Sequence, residues 1–393
     1  MRQSGQFSND GITQVNRPIF SGEGEPNANV KLILGGIEYE TTVDASGEWQ
    51  INLPVALADN EYNYVLSSSD AAGNTVELPE QKLVVDTSTD LTVSGLTAAT
   101  NSAIDGIQSG LDDQITNIAS PAIEGLGEAG ATISLVMNGV TYTSTVGSNG
   151  QWVVNITDAL PEGNHSYSVE STDIAGNVAL IENRSITIDL TAPNLTGGLD
   201  AGSDSGISSS DGVTNDATPM FSGTSEAGAY IVLMIGGQSY STTADAQGDW
   251  GINVSNVLSD STQNYTISAF DTAGNQTDLL GQITVDTLSP LTSRLANTSD
   301  SGLSNSDGIT NINTPTIEGT AGVGDSITLR IGVGANAQVL IAQANELGNW
   351  SINVPNPLVD GIHTYTVTGL DIAGNEITVS NTLTIDTVTP SPF

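Results

Sequence analysis

The sequence has no cysteine, so each folding unit must rely on an apolar core, on bound metal, or on both, with no disulfide to help. Basic residues are nearly absent too. Arg2, Arg17, Lys31, Lys82, Arg184, Arg294 and Arg330 are the only seven, against 45 Asp and Glu, and the net charge is −38. Such a surface repels nucleic acid and anionic lipid, which excludes both as partners. No run of 18 apolar residues occurs, so no membrane insertion is expected, and Met1–Asp10 has no apolar signal region. Histidine is limited to His165 and His363, at a strand position where other repeats carry Tyr62 and Gln263, and both read as exposed strand residues. Without Cys, a Ser–His pairing or an asymmetric carboxylate pair, catalysis has no support, and the chain reads as a non-enzyme.

What is present is repetition. The five-residue turn "DTAGN" (271–275) returns as "DAAGN" (70–74) and as "DIAGN" at 173–177 and 371–375, in steps of 103, 98 and 100. Trp49, Trp152, Trp250 and Trp350 follow the same three steps, each two residues after a glycine. A third series ends in Asp86, Asp189, Asp286 and Asp386. These periods divide the chain into four domains, 1–87, 88–190, 191–287 and 288–393, each large enough to bury its own core. The start "SGQFSNDGIT" matches the interior of later repeats and the end "DTVTPSPF" matches a linker, so the chain reads as a segment of something longer, its first repeat lacking the first strand.

The third repeat shows the strand pattern. "NLTGGL" (194–199), "PMFSGT" (219–224), "YIVLMIGG" (230–237), "QSYSTTA" (238–244), "DWGINVS" (249–255), "NYTISAFD" (264–271) and "LLGQITVD" (279–286) are short, β-rich and separated by turn residues. Seven strands in about a hundred residues with no amphipathic helix predict an immunoglobulin-like β-sandwich. The fold expected is all-β, four tandem sandwiches in an elongated array. Tyr64, Tyr167, Tyr265 and Tyr365 recur with the tryptophans in register, and both series read as core rather than as sugar-binding platforms.

The ordinary role of Asp in such loops is to cap nearby N–H groups. That suffices before the tryptophans, where Asp44 and Asp245 give way to Gly147 and Asn345. Three other series vary less. The turn Asp (Asp70, Asp173, Asp271, Asp371) and the strand-end Asp (Asp86, Asp189, Asp286, Asp386) persist in all four repeats. A loop Glu appears as Glu25, Glu128 and Glu226, with Gly322 in its place in repeat four. In a sandwich the turn and the Glu loop lie at the N-terminal end of a domain, where the preceding domain's last strand arrives. Asp189 is therefore expected beside Glu226 and Asp271, where three carboxylates without a basic neighbour call for a cation. A long polar loop adds Asp200, Asp204, Asp211 and Asp216 in repeat three and Asp300 and Asp307 in repeat four, at the opposite end of the domain. Oxygen donors at alternate positions around a glycine suit Ca²⁺ better than Mg²⁺, and Zn²⁺ lacks His or Cys ligands.

The string "SDSGISSSDGVTNDATPMFSGTSEAG", with "GDW", "DTAGN" and "VDTLSP" after it, resembles the tandem bacterial immunoglobulin-like repeats of giant repetitive adhesins, the type I-secreted, RTX-type and biofilm-associated surface proteins. The resemblance covers the whole chain. It implies a monomeric extender on the bacterial cell surface, contacting the neighbouring Ig-like domains of its own chain and stiffened by Ca²⁺ at the linkers. The ligands it implies are Asp86, Asp189 and Asp286 at strand ends, Asp173, Asp271 and Asp371 in the turns, and Glu128 and Glu226. Gly322 breaks that pattern before repeat four. The alternative is a direct glycan- or host-binding module, for which the loops at 100–117 and 332–340 are the candidates; neither holds an aromatic anchor.

Overall fold

A computed structural model describes residues 10–102, 113–332, 334 and 337–390. The chain forms two compact units, one of Met1–Thr191 with Thr272–Asn275 and the other of Ala192–Asp271 with Gln276–Phe393. All regular structure among the described residues is β-strand, and no helix there is long and apolar enough to cross a membrane.

Repeat three shows the plan. A five-stranded sheet runs in the order Val213–Thr214, Gln276–Val285, Ser261–Phe270, Tyr230–Ile235, Gln238–Thr243, and a three-stranded sheet in the order Leu195–Leu199, Met220–Ser225, Asp249–Asn253. Repeats two and four have the same five-plus-three arrangement. Alternation explains the packing: along Tyr230–Ile235 every second residue is buried, and Ile231, Leu233 and Ile235 share one core with Ile267 of the adjacent strand and with Phe221, Trp250 and Ile252 of the other sheet.

The sequence pattern missed one element, a two-residue strand in each repeat. Ile12–Thr13, Ile115–Thr116, Val213–Thr214 and Ile309–Thr310 each pair in parallel with the end of their domain's last strand. Two residues carry no periodicity, so only the pairing shows them. Each Thr is buried, and Thr116, Thr214 and Thr310 donate their hydroxyls to backbone carbonyls of the long loop.

The tryptophans are core side chains, as their spacing indicated. Each lies over a glycine of the second strand: a Cβ at Gly125 or Gly223 would stand 2.6 or 2.7 Å from Cζ2 of Trp152 or Trp250. In repeat one, Ile19–Glu23 pairs only with Glu48–Asn52 among the described residues, and Trp49 is only half-buried. His165 corrects an expectation. It is buried, not exposed, with Nδ1 against Asn138 Nδ2 at 2.9 Å and Nε2 against the Pro161 carbonyl at 2.7 Å; His363 is half-buried and meets the Val359 carbonyl the same way. Both bridge strand to loop inside one domain.

Candidate metal centre at the repeat junctions

The Asp-x-Ala-Gly-Asn turn builds itself. In repeat two, Asp173 Oδ1 accepts the Asn177 N–H at 2.8 Å and Oδ2 accepts the Asn177 amide at 2.7 Å, while Gly176 takes a positive φ of 90° that suits glycine. The same bonds form in Asp70–Asn74 and Asp371–Asn375. Asp70 is half-buried, and the Asn74 amide holds its carboxyl below the usual range.

What differs is the context. Asp173 is buried, and its partner Asn177 also donates to the Asp86 carbonyl at 2.9 Å, at the end of repeat one's last strand. In the second unit Asn375 donates to the Asp286 carbonyl at 2.7 Å. The alanine follows suit: Ala175 and Ala373 are 1% and 0% exposed, whereas Ala72 in repeat one is exposed. Between repeats three and four the contact has a second half. Ser205 Oγ donates to the Ala373 carbonyl at 2.9 Å, and Gly206, with φ of 101°, lies where a Cβ would be 2.1 Å from the Ile372 carbonyl oxygen. The turn is therefore a socket for the neighbouring repeat, which explains why its alanine and asparagine recur as faithfully as its aspartate.

Three carboxylates meet at the socket in the first unit. Asp86, Glu128 and Asp173 each offer an oxygen within 4.8 Å of the other two. None of the ion pairs among the described residues, Lys31–Glu38, Lys82–Glu61 and Arg294–Glu318, involves them. Burial pushes the Glu128 carboxyl up, and the charges of Asp86 and Asp173 push it further. Asp86 is raised first by burial and then by Asp173 and Asp59. The Thr89 hydroxyl stands beside Glu128 and offsets a little of its rise, yet its oxygen is buried without a hydrogen bond of good geometry. An all-oxygen set of this kind, anionic and lacking a basic neighbour, fits a hard divalent cation.

The other predicted residues fall differently. In the second unit Asp371 is buried and Asp286 half-buried, and the carboxylate on which both charges act is Asp325, a residue the sequence reading passed over. Asp189 belongs to one unit and Glu226 and Asp271 to the other. Asp386 is exposed at the end of repeat four's last strand and caps the Val388 N–H. In the long loop, Asp200 accepts from Ser222 Oγ at 2.6 Å, which lowers its pKa, and Asp211 and Asp307 are exposed caps of Val213 and Ile309. Asp204 and Asp300 are each 6% exposed; one oxygen of each accepts a glycine N–H, from Gly212 or Gly308, and the other is buried with no partner. The candidate ligand-binding loop of repeat two lies largely at 103–112, outside the described residues, as do 333, 335 and 336 of the other candidate.

No relative is found among curated proteins. Among solved structures, a Ca²⁺-stabilized adhesin that helps an Antarctic bacterium reach out and bind ice is 27% identical over 96% of this chain and 96% of that one, with a TM-score of 0.31. A tetra-tandem repeat in the extending region of a large adhesion protein is 21% identical over 98% of each chain, TM-score 0.31. A 1.5-MDa bacterial ice-binding adhesin is 24% identical over 70% of this chain and 93% of that one, TM-score 0.29. The family model of the bacterial Ig-like domain matches four times, at residues 1–87, 93–190, 191–287 and 287–387. With four matches spanning nearly its whole length, this chain belongs to the bacterial Ig-like domain family, as four repeats in tandem.

Proposed function

We propose that the chain is an extender segment of a bacterial surface adhesin, whose repeats are locked to one another by Ca²⁺ at the junctions. The observation that carries this reading is the meeting of Asp86 with Glu128 and Asp173, two successive repeats contributing to one uncompensated anionic cluster. Its mechanism is electrostatic. Without cation, the carboxylates repel across the junction and oppose the hydrogen bonds from Asn177; with cation, the repulsion becomes attraction. Asp86 and Asp173 would hold the ion from opposite repeats, with Glu128 closing the set, while Ca²⁺ supplies charge neutralisation and the capacity for roughly 6–8 oxygen ligands. Asp204 and Asp300, each with a buried unpartnered oxygen, are the places in the long loop for a further ion.

Extracellular Ca²⁺ modules bind with Kd on the order of 10⁻⁴–10⁻³ M. At a free concentration of about 100 Kd, each site adds about 2.7 kcal/mol to the bound state. Repetition of a spacer and a chain this acidic both suit a surface stalk, exported by type I secretion and carrying a distal ligand-binding domain for adhesion or biofilm formation. The test is small-angle scattering of the whole chain during a Ca²⁺ titration. The distribution of dimensions is expected to narrow as Ca²⁺ rises and to broaden again with chelator. An unchanged profile, with no heat of Ca²⁺ binding, would return the acidic residues to turn capping.

A further inference from the structure

Repeat four carries glycine, Gly322, where Glu128 and Glu226 stand in the repeats before it. Three residues on, it carries Asp325 where the others have Ala28, Ala131 and Ala229, all buried small side chains. The two departures are physically one event. Asp325 is only 3% exposed, and its carboxylate reaches back to accept the Gly322 N–H at 2.8 Å. A Cβ built on Gly322 would stand 2.7 and 2.8 Å from the two Asp325 oxygens, so any side chain there would displace the carboxylate. The carboxylate thus occupies the space over the backbone from which the glutamates project.

Its surroundings are anionic. The charges of Asp371 and Asp286 act on Asp325 in the same direction as its burial, raising its pKa, and no ion pair among the described residues involves any of the three. A buried carboxylate placed where three repeats have alanine, under the charge of two others and without a cationic side chain, lowers stability unless something neutralises it. The linker that carries Asp286 has a second unsatisfied polar group. The Ser289 hydroxyl oxygen is buried without a hydrogen-bond partner, as is that of its counterpart Thr89 beside Glu128.

We infer that repeat four supplies its junction ligand from Asp325 in place of the loop glutamate, and that Gly322 is retained because the exchanged carboxylate fills the space above it. The junction before repeat four is thereby complete, with Asp286, Asp325 and Asp371 as its carboxylates. The inference rests on the reading of the junctions as Ca²⁺ sites.

Ca²⁺ alone is the probe, and equilibrium dialysis of the full chain counts the ions bound. Asp325→Ala is expected to remove the ions of one junction, or to weaken them at least tenfold. It is also expected to leave the chelated protein folded, since alanine is the residue the other repeats use there. Adding Gly322→Glu to Asp325→Ala is expected to restore the count by returning the ligand to its usual position, whereas Gly322→Glu alone crowds Asp325 and lowers the count. A wild-type chain that binds no Ca²⁺ overturns the junction reading as a whole. An undiminished count in Asp325→Ala, in a chain that does bind, overturns this inference alone. Loss without recovery in the double variant overturns the exchange of positions.

Discussion

Replacing Glu128 by Gln separates the two faces of the electrostatic mechanism, because it removes a charge while keeping size and hydrogen-bonding capacity. Glu128 takes part in two of the three carboxylate pairs among itself, Asp86 and Asp173, whose oxygens lie within 4.8 Å of one another. At that separation and an effective dielectric of about 20, one pair costs about 3.5 kcal/mol before screening. Water and salt at a partly exposed junction reduce this severalfold, leaving roughly 1 kcal/mol for the two pairs together. In chelator, Glu128→Gln is therefore expected to stabilise the chain. For a domain of this size about 1 kcal/mol corresponds to roughly 4–8 °C in the transition it affects. In millimolar Ca²⁺ the sign reverses: the variant loses a ligand, and most of the roughly 2.7 kcal/mol that saturation adds at this site is expected to go. Scanning calorimetry of the full chain, with and without Ca²⁺, reads both effects. A variant that melts lower than wild type in chelator, or that keeps the full Ca²⁺ response, would refute the reasoning.

Four further expectations can be checked on the same protein. Asn177→Ala removes the bond to the Asp86 carbonyl, with its longer branch to the Ser88 carbonyl, as well as the side-chain bond to Asp173, whereas Asn74→Ala in the exposed turn removes only the corresponding bond to Asp70. The difference between their melting shifts is expected to be about 1 kcal/mol, the worth of one inter-repeat hydrogen bond, and equal shifts would deny the socket. Ala373→Leu, at a fully buried position, is expected to cost about 1–3 kcal/mol by overpacking, while Ala72→Leu costs nothing measurable by denaturant titration. Gly125→Ala drives a methyl into the Trp152 ring and the Thr92 carbonyl, and a loss of at least about 2 kcal/mol is expected by the same titration. For pH, Asp86, Glu128 and Asp325 all have raised pKa values in the folded chain. The folded state then binds protons more readily than the unfolded state, so these sites stabilise the chelated chain as pH falls toward the ordinary carboxylate range and weaken Ca²⁺ binding over the same interval. Calorimetry in chelator at stepped pH checks the sign; stability falling steadily from neutrality downward would contradict it.

The fold was legible because its signals are local. Alternation in "DWGINVS" and the tryptophan two residues after a glycine each fix a strand face within a few residues. The two-residue Ile-Thr strands were not legible, since pairing with a strand some seventy residues later leaves no local trace. The turn was readable as a turn, but the reason for its alanine lies in the neighbouring repeat, and only the contrast of Ala72 with Ala373 exposes it. Asp325 escaped because comparing repeats position by position sees Gly322 as a loss. A carboxylate moved along the loop can still reach the same point in space. His165 was misread because a polar residue in a strand is ordinarily solvated, and here a loop carbonyl and Asn138 enclose it.

The parallel pairing of each short Ile-Thr strand with the end of its domain's last strand has a mechanical consequence. The two strands lie near opposite ends of the domain in sequence yet are directly bonded. Tension applied through the chain's two ends therefore slides them past each other, loading their backbone hydrogen bonds together, in shear, rather than opening them one at a time. In the repeats that keep it, the first strand upstream of that clasp is the element tension reaches first, so it can peel away and lengthen the repeat before the core is loaded. A chain of such repeats would yield in small, recoverable extensions under flow, with complete unfolding held back by a slow, force-resistant step.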